Sequence, residues 1–140
     1  MRCRAGEIEN PDEKSVISME LTPAHLRYLL AIYHLAKTMP EVTPLAVAQA
    51  MGVTKPSVTS ILSCLMKHDV IVRKRYGKVY LTDRGVLYAR YYDDLLQKIL
   101  QHFPLEGDFT TEEKEDAALA MAAALPAREV DARCAVLYGE

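Results

Sequence analysis

The sequence predicts a mainly α-helical protein with a small β-hairpin, a winged helix-turn-helix followed by further helices. Three observations carry this. Three amphipathic segments open on a threonine with proline in the next two positions, at Thr22-Pro23, Thr43-Pro44 and Thr54-Lys55-Pro56. Two short β-branched runs, Val70-Ile71-Val72 and Val79-Tyr80-Leu81, flank the basic turn Arg73-Lys74-Arg75-Tyr76-Gly77-Lys78. A longer segment begins at Thr82-Asp83 and keeps Tyr88, Tyr92, Leu95, Leu96, Ile99 and Phe103 on one face.

Taken in order, residues 1–19 mix charges with Gly6, Asn10 and Pro11, show no sustained period and read as a flexible arm. Leu26, Leu29, Leu30, Tyr33 and Ala36 give a first helix to about Thr38, broken by Met39-Pro40-Glu41. A second, from Pro44 to Met51, offers Leu45, Val47, Ala48 and Ala50 to a core and stops at Gly52. In the third, Thr54 is the expected cap and Val58, Ile61, Leu62 and Leu65 the buried stripe. The short link between the second and third makes a helix-turn-helix, and the hairpin makes it winged. The long helix ends near Pro104 and Gly107. Thr110 and Glu113 then have the spacing of a capping box for a helix to Leu125, and a last segment runs from Ala127 to Leu137. The expected division is 1–19, 20–82 and 83–140.

Charge is distributed unevenly. Residues 55–90 hold eight Lys or Arg against two acids, a local +6, while residues 91–140 carry four bases and eleven acids. The chain's net −2 conceals this. The island coincides with the third helix and the wing, as a double-stranded DNA-binding surface requires. A recognition helix presents short polar groups from its first turns, and Thr54, Lys55, Pro56, Ser57, Thr59 and Ser60 fall there. Arg73, Lys74, Arg75, Tyr76 and Lys78 would meet phosphate or the minor groove. Basic turns also protect hairpins from edge pairing, and winged helices also serve as protein-interaction modules.

Residues 26–90 resemble the metal-dependent repressors of the diphtheria toxin repressor and manganese transport regulator type. The likeness lies in LRYLLAIYHL, in AVAQAMGVTKPSVTSILSCL, in the wing and in LTDRG, and continues more weakly through DDLLQKIL, FTTEEKEDA and the following ALP. It implies a helical dimerisation domain after the wing and a homodimer on a palindromic operator, with manganese or iron joining the two domains. At the positions where the family holds its metal, however, this chain has Arg27 and Leu30 on the first helix, Asp93 on the long helix, and Ala118-Leu119-Ala120-Met121-Ala122 in place of a Cys/Glu-x-x-Glu-His motif. Hard divalent ions need several oxygen or imidazole donors, and one carboxylate does not supply them. The expectation is a lost site, no bound metal, and an Arg27–Asp93 ion pair in its place; the bland alternative leaves Arg27 facing solvent. A rival set of rebuilt ligands would be His25, Asp93, Asp94 and His102.

Other features carry less. Cys64 and His68 stand one helical turn apart, but two ligands make no site. Cys3, Cys64 and Cys134 form no CxxC pair and read as reduced thiols. No nucleophile-base set or glycine-rich phosphate loop points to an enzyme. Tyr88, Tyr91 and Tyr92 are candidates for a small-molecule effector pocket or for core. Leu87, Tyr91 and Met121, the last within an alanine-rich face, are the candidate subunit contacts. No apolar run has the length of a membrane span, so no membrane is expected as a partner and a cytoplasmic location is.

Overall fold

A computed structural model describes residues 21–102 and 107–138, with the side chains at 129, 134, 135, 137 and 138 left aside. The expectations for the arm at 1–19, for Cys3 and for the helix stop at Phe103-Pro104 lie outside the described residues. The fold is mainly helical with one two-stranded antiparallel sheet, in the order α1 (Pro23–Thr38), α2 (Pro44–Met51), α3 (Lys55–Lys67), β1 (Ile71–Arg73), β2 (Val79–Leu81), α4 (Asp83–His102), α5 (Thr111–Ala124) and α6 (Arg128–Tyr138).

Most helix starts follow the local chemistry read from sequence. The Thr43 hydroxyl accepts from the Ala46 N–H at 3.1 Å, and Thr110 and Glu113 bond reciprocally as a capping box. Thr82 accepts from the Gly85 N–H at 2.9 Å. At the end of α2, Gly52 takes φ 68°, the left-handed value that stops a helix. Thr54 departs from expectation: no side chain caps α3, because the Thr54 and Ser57 hydroxyls hydrogen-bond each other at 3.0 Å.

The hairpin lies one residue later than its β-branched run suggests. Ile71 faces Leu81, Val72 faces Tyr80 and Arg73 faces Val79. Val70 is left outside the strand, wholly buried, its carbonyl accepting from the Thr82 N–H at 3.0 Å. That carbonyl also meets the first turn of α4. A Cβ on Gly85 would stand 1.9 Å from it, so only glycine allows the helix to start there. On its other side β2 bridges the α1–α2 link, with the Val79 N–H donating to the Val42 carbonyl at 2.7 Å. No periodicity in a single valine between two helices announces such a bridge.

One continuous core runs from Leu21 to Val130. Its centre is α1, which packs on α2, α3, α4 and α5 through Leu26, Leu29 and Ile32, all wholly buried. Each such side chain contributes about 2 kcal/mol of transfer free energy. In α2, Val47 and Ala48 are buried as expected, but Leu45 is 54% exposed and Ala50 is exposed as well. The eight-residue helix has room for one narrow buried face. Ala118, Leu119 and Ala122 are buried in a helix that packs on α1 and α4, which takes the alanine face into the chain's own core. Along α4, Tyr88 is wholly buried and donates its O–H to Asp131 of α6. Burial, with the neighbouring Tyr91 and Asp131 charge, raises the Tyr92 phenol to about 12, so it stays protonated.

His25 is the one charged or polar side chain among the buried described residues, 3% exposed. Its Nδ1 accepts from the Thr22 N–H and the Thr22 hydroxyl accepts from its own N–H, a capping box with histidine in the glutamate position. Its Nε2 is buried without a hydrogen-bond partner, and its ring centroid lies 5.7 Å from that of His68, the residue that ends α3. Burial first, then the His68 charge, lower its pKa. The unfolded chain therefore takes up this proton more readily than the folded one. The stabilisation is complete above the unfolded value, about 6.5, and is lost as pH falls through it toward the lowered folded value. Thermal unfolding followed from neutral pH to mildly acidic pH should show a midpoint that falls more steeply in the parent than in His25→Gln, which keeps a capping side chain and cannot titrate. Equal slopes would remove His25 as the cause.

Candidate nucleic-acid interface

The first turns of α3 are open. Thr54, Lys55, Pro56, Ser57, Thr59 and Ser60 are all exposed, whereas Val58, Ile61 and Leu62 between and beyond them are buried. The helix thus turns its hydroxyl-bearing face outward and its branched apolar face inward, as the three-and-four spacing dictates. With no side-chain cap, the backbone N–H groups of the first turn are left for an outside acceptor, and the positive end of the helix favours an anion. Thr59 gives its proton to the Lys55 carbonyl at 3.1 Å and retains acceptor capacity. The Ser60 hydroxyl makes no hydrogen bond among the described residues.

The wing supplies charge. Arg73, Lys74, Arg75 and Tyr76 are exposed. Residues 75–77 close a tight, non-helical turn, with Tyr76 at φ 62° and Gly77 at φ 74°. The Lys74 ammonium lies 5.6 Å from the Tyr80 ring centroid, a cation–π contact. Arg73, Arg75 and Lys55 have no carboxylate partner among the described residues, so their charges are available to phosphates. Lys78 differs. It is partly buried and ion-paired to Glu41 of the α1–α2 link, whose hydrogen bond raises the ammonium pKa. Arg84 likewise stands 3.9 Å from Asp69. The island seen in sequence is therefore partly neutralised at its base and free at its tip.

The positions where the resemblance implies a metal are filled otherwise. Arg27 pairs with Asp116 of α5, not with Asp93 as expected. Asp93 instead meets His34 of α1, carboxylate oxygen to Nε2 at 3.1 Å. Leu30, Ala118 and Ala122 are buried in the core, and Met121 packs at its edge. An arginine, aliphatic side chains and a carboxylate already engaged do not fit a divalent cation. The rival ligand set fares no better: His25 contacts His68, Asp93 bonds His34, and Asp94 pairs with Lys98 at 3.0 Å. No three His, Cys, Asp or Glu come together as a metal cluster among the described residues. Cys64 is disulfide-bonded, its partner outside the described side chains, so the expectation of a reduced thiol fails there and Cys64 is not offered to a metal with His68.

Between α1, α4 and α6 lies an open cleft of about 580 Å³, lined by Tyr33, Leu87, Arg90, Tyr91, Asp93 and Arg133 among others. Tyr91 is the single member of the expected tyrosine pocket to reach it, because Tyr88 and Tyr92 belong to the core. The side-chain contacts Arg27–Asp116, His34–Asp93 and Glu41–Lys78 join residues 89, 59 and 37 positions apart, and no local spacing could have signalled them. No described helix is long and apolar enough to cross a membrane.

No family model matches the chain, and no curated protein sequence does. Solved structures do match. The metal-dependent transcriptional regulator MtsR aligns with 86% of this chain at 22% identity and a TM-score of 0.58, and the manganese regulator SloR with 85% at 21% and 0.57. IdeR of T. acidophilum aligns with 89% at 17% identity and a TM-score of 0.51. The chain spans just over half the length of these structures, 56%, 55% and 56% respectively. Its fold is the winged-helix fold of the metal-dependent regulators.

Proposed function

We propose that the protein is a DNA-binding regulator of transcription, a repressor acting as a homodimer on a two-fold operator, whose hold on DNA does not depend on a divalent metal. One observation carries the reading: the uncapped, hydroxyl-rich start of α3 and a wing whose arginines meet no carboxylate among the described residues are exposed in the same module. In this reading Thr54, Lys55, Pro56, Ser57, Thr59 and Ser60 meet base edges, and Arg73, Lys74 and Arg75 meet phosphates. Residues 20–82 read the operator; residues 83–140 join the subunits, with Leu87, Tyr91 and Met121 at the contact. Such a protein works where the DNA is, in the cytoplasm.

MtsR is a metal-dependent transcriptional regulator and SloR a manganese regulator, and transfer of that property is opposed by the donor set here. The Arg27–Asp116 pair joins α1 to α5 directly. Duplexes selected from a random pool, with and without added manganese, should yield the same two-fold motif in both arms. A motif recovered in the manganese arm alone would reinstate metal sensing, and no enrichment in either arm would favour a protein-interaction module.

A further inference from the structure

We infer that Tyr76 is the reading residue of the wing, its ring entering the minor groove of the bound duplex and favouring A·T pairs there. The inference rests on the DNA-binding reading above and names a specificity element within it.

The backbone at Tyr76 supports it. A φ of 62° is left-handed, and a side chain bearing a Cβ holds that conformation at a cost of about 1–2 kcal/mol. The next residue, Gly77, is left-handed as well, at φ 74°. Glycine or asparagine would close this turn with little strain. The closure is moreover complete without the tyrosine side chain: the Lys74 N–H donates to the Lys78 carbonyl at 2.8 Å and the Gly77 N–H to the Lys74 carbonyl at 3.0 Å. The ring does not offset the strain by burial, since Tyr76 is 89% exposed. A strained residue that neither closes its turn nor packs in a core is displayed for something outside the chain.

The surroundings say what. Arg73, Lys74 and Arg75 precede the ring in sequence, and the Lys78 ammonium stands 5.9 Å from its centroid. An apolar protein partner would not favour such a setting; a polyanion would. Lys78 is held in turn by Glu41, and β2 is held by Val42, so the tip is carried on an anchored base. The minor groove of B-DNA is about 6 Å wide, enough for a phenol edge-on. At A·T pairs its floor presents only acceptors, which suit the phenolic O–H, whereas the exocyclic amine of guanine obstructs it. A·T tracts also narrow the groove and deepen its negative potential, which favours the neighbouring Arg75.

The test compares the parent, Tyr76→Gly and the Lys74→Ala/Arg75→Ala double variant on two duplexes that share the selected core and carry A·T or G·C pairs beneath the wing. Tyr76→Gly should keep or raise the thermal midpoint yet lose affinity for the A·T duplex by about tenfold, the scale of one well-placed base contact. Its affinity for the G·C duplex should hardly change. A lowered midpoint would assign the ring to holding the turn and overturn the inference. So would unchanged preference in Tyr76→Gly while the double variant loses binding, an outcome that leaves the DNA-binding reading standing. If the double variant also binds as the parent does, both fall.

Discussion

Replacing Lys74 and Arg75 together by alanine should weaken binding to every duplex by at least tenfold at moderate salt and flatten the dependence of log affinity on log salt by about two. Both side chains are exposed, and Arg75 has no acidic partner among the described residues. Each cation therefore releases counterions from the phosphates it meets, and that release is the source of both the affinity and the salt slope. The loss should be uniform across sequences, because phosphate contacts position the protein without reading bases. Lys78 should not behave in this way, since Glu41 already neutralises it. Titrations of a labelled duplex at several salt concentrations decide the matter. An unchanged slope in the double variant would remove the wing from the interface.

Gly85→Ala should destabilise the fold by about 3 kcal/mol. The added methyl would stand 1.9 Å from the Val70 carbonyl oxygen and 2.9 Å from its carbon, both backbone atoms that no rotamer change can move aside. The same carbonyl accepts the Thr82 N–H, and Thr82 caps α4. Relief of the clash would therefore pull the hairpin away from the helix start. In an exposed helix interior, alanine for glycine would have stabilised by up to about 1 kcal/mol, so the sign of the effect separates close approach from propensity. Denaturant unfolding of the variant measures it, and a stability equal to or above the parent's would refute the contact.

What the sequence made legible was local. Threonine followed by proline marked the starts of α1, α2 and α3, the Thr110–Glu113 spacing marked α5, and the basic turn marked the wing, because caps, prolines and alternation act within a few residues. The exposed face of α3 followed from the same periodicity. What stayed hidden depends on residues brought together from afar. Arg27 finds Asp116 instead of Asp93 because α5 packs across α1 as well as across α4. His34 takes Asp93 because α1 and α4 pack directly on each other. The Thr54 hydroxyl was expected to cap but meets the Ser57 hydroxyl, a choice between two groups of the same residue that spacing cannot distinguish. Leu45 shows the opposite limit: an apolar residue in a helical period can still face outward when its helix is eight residues long.

The bridge from Val42 to Val79 bears on how the protein survives at high concentration. A two-stranded ribbon carrying Val79, Tyr80 and Leu81 would otherwise present an unsatisfied strand edge, the template on which chains associate into cross-β aggregates. Val42 occupies that edge at Val79 from within the same molecule, and on the far side Arg73 places a cation at the end of β1. The hairpin can thus project from the surface without recruiting its own kind.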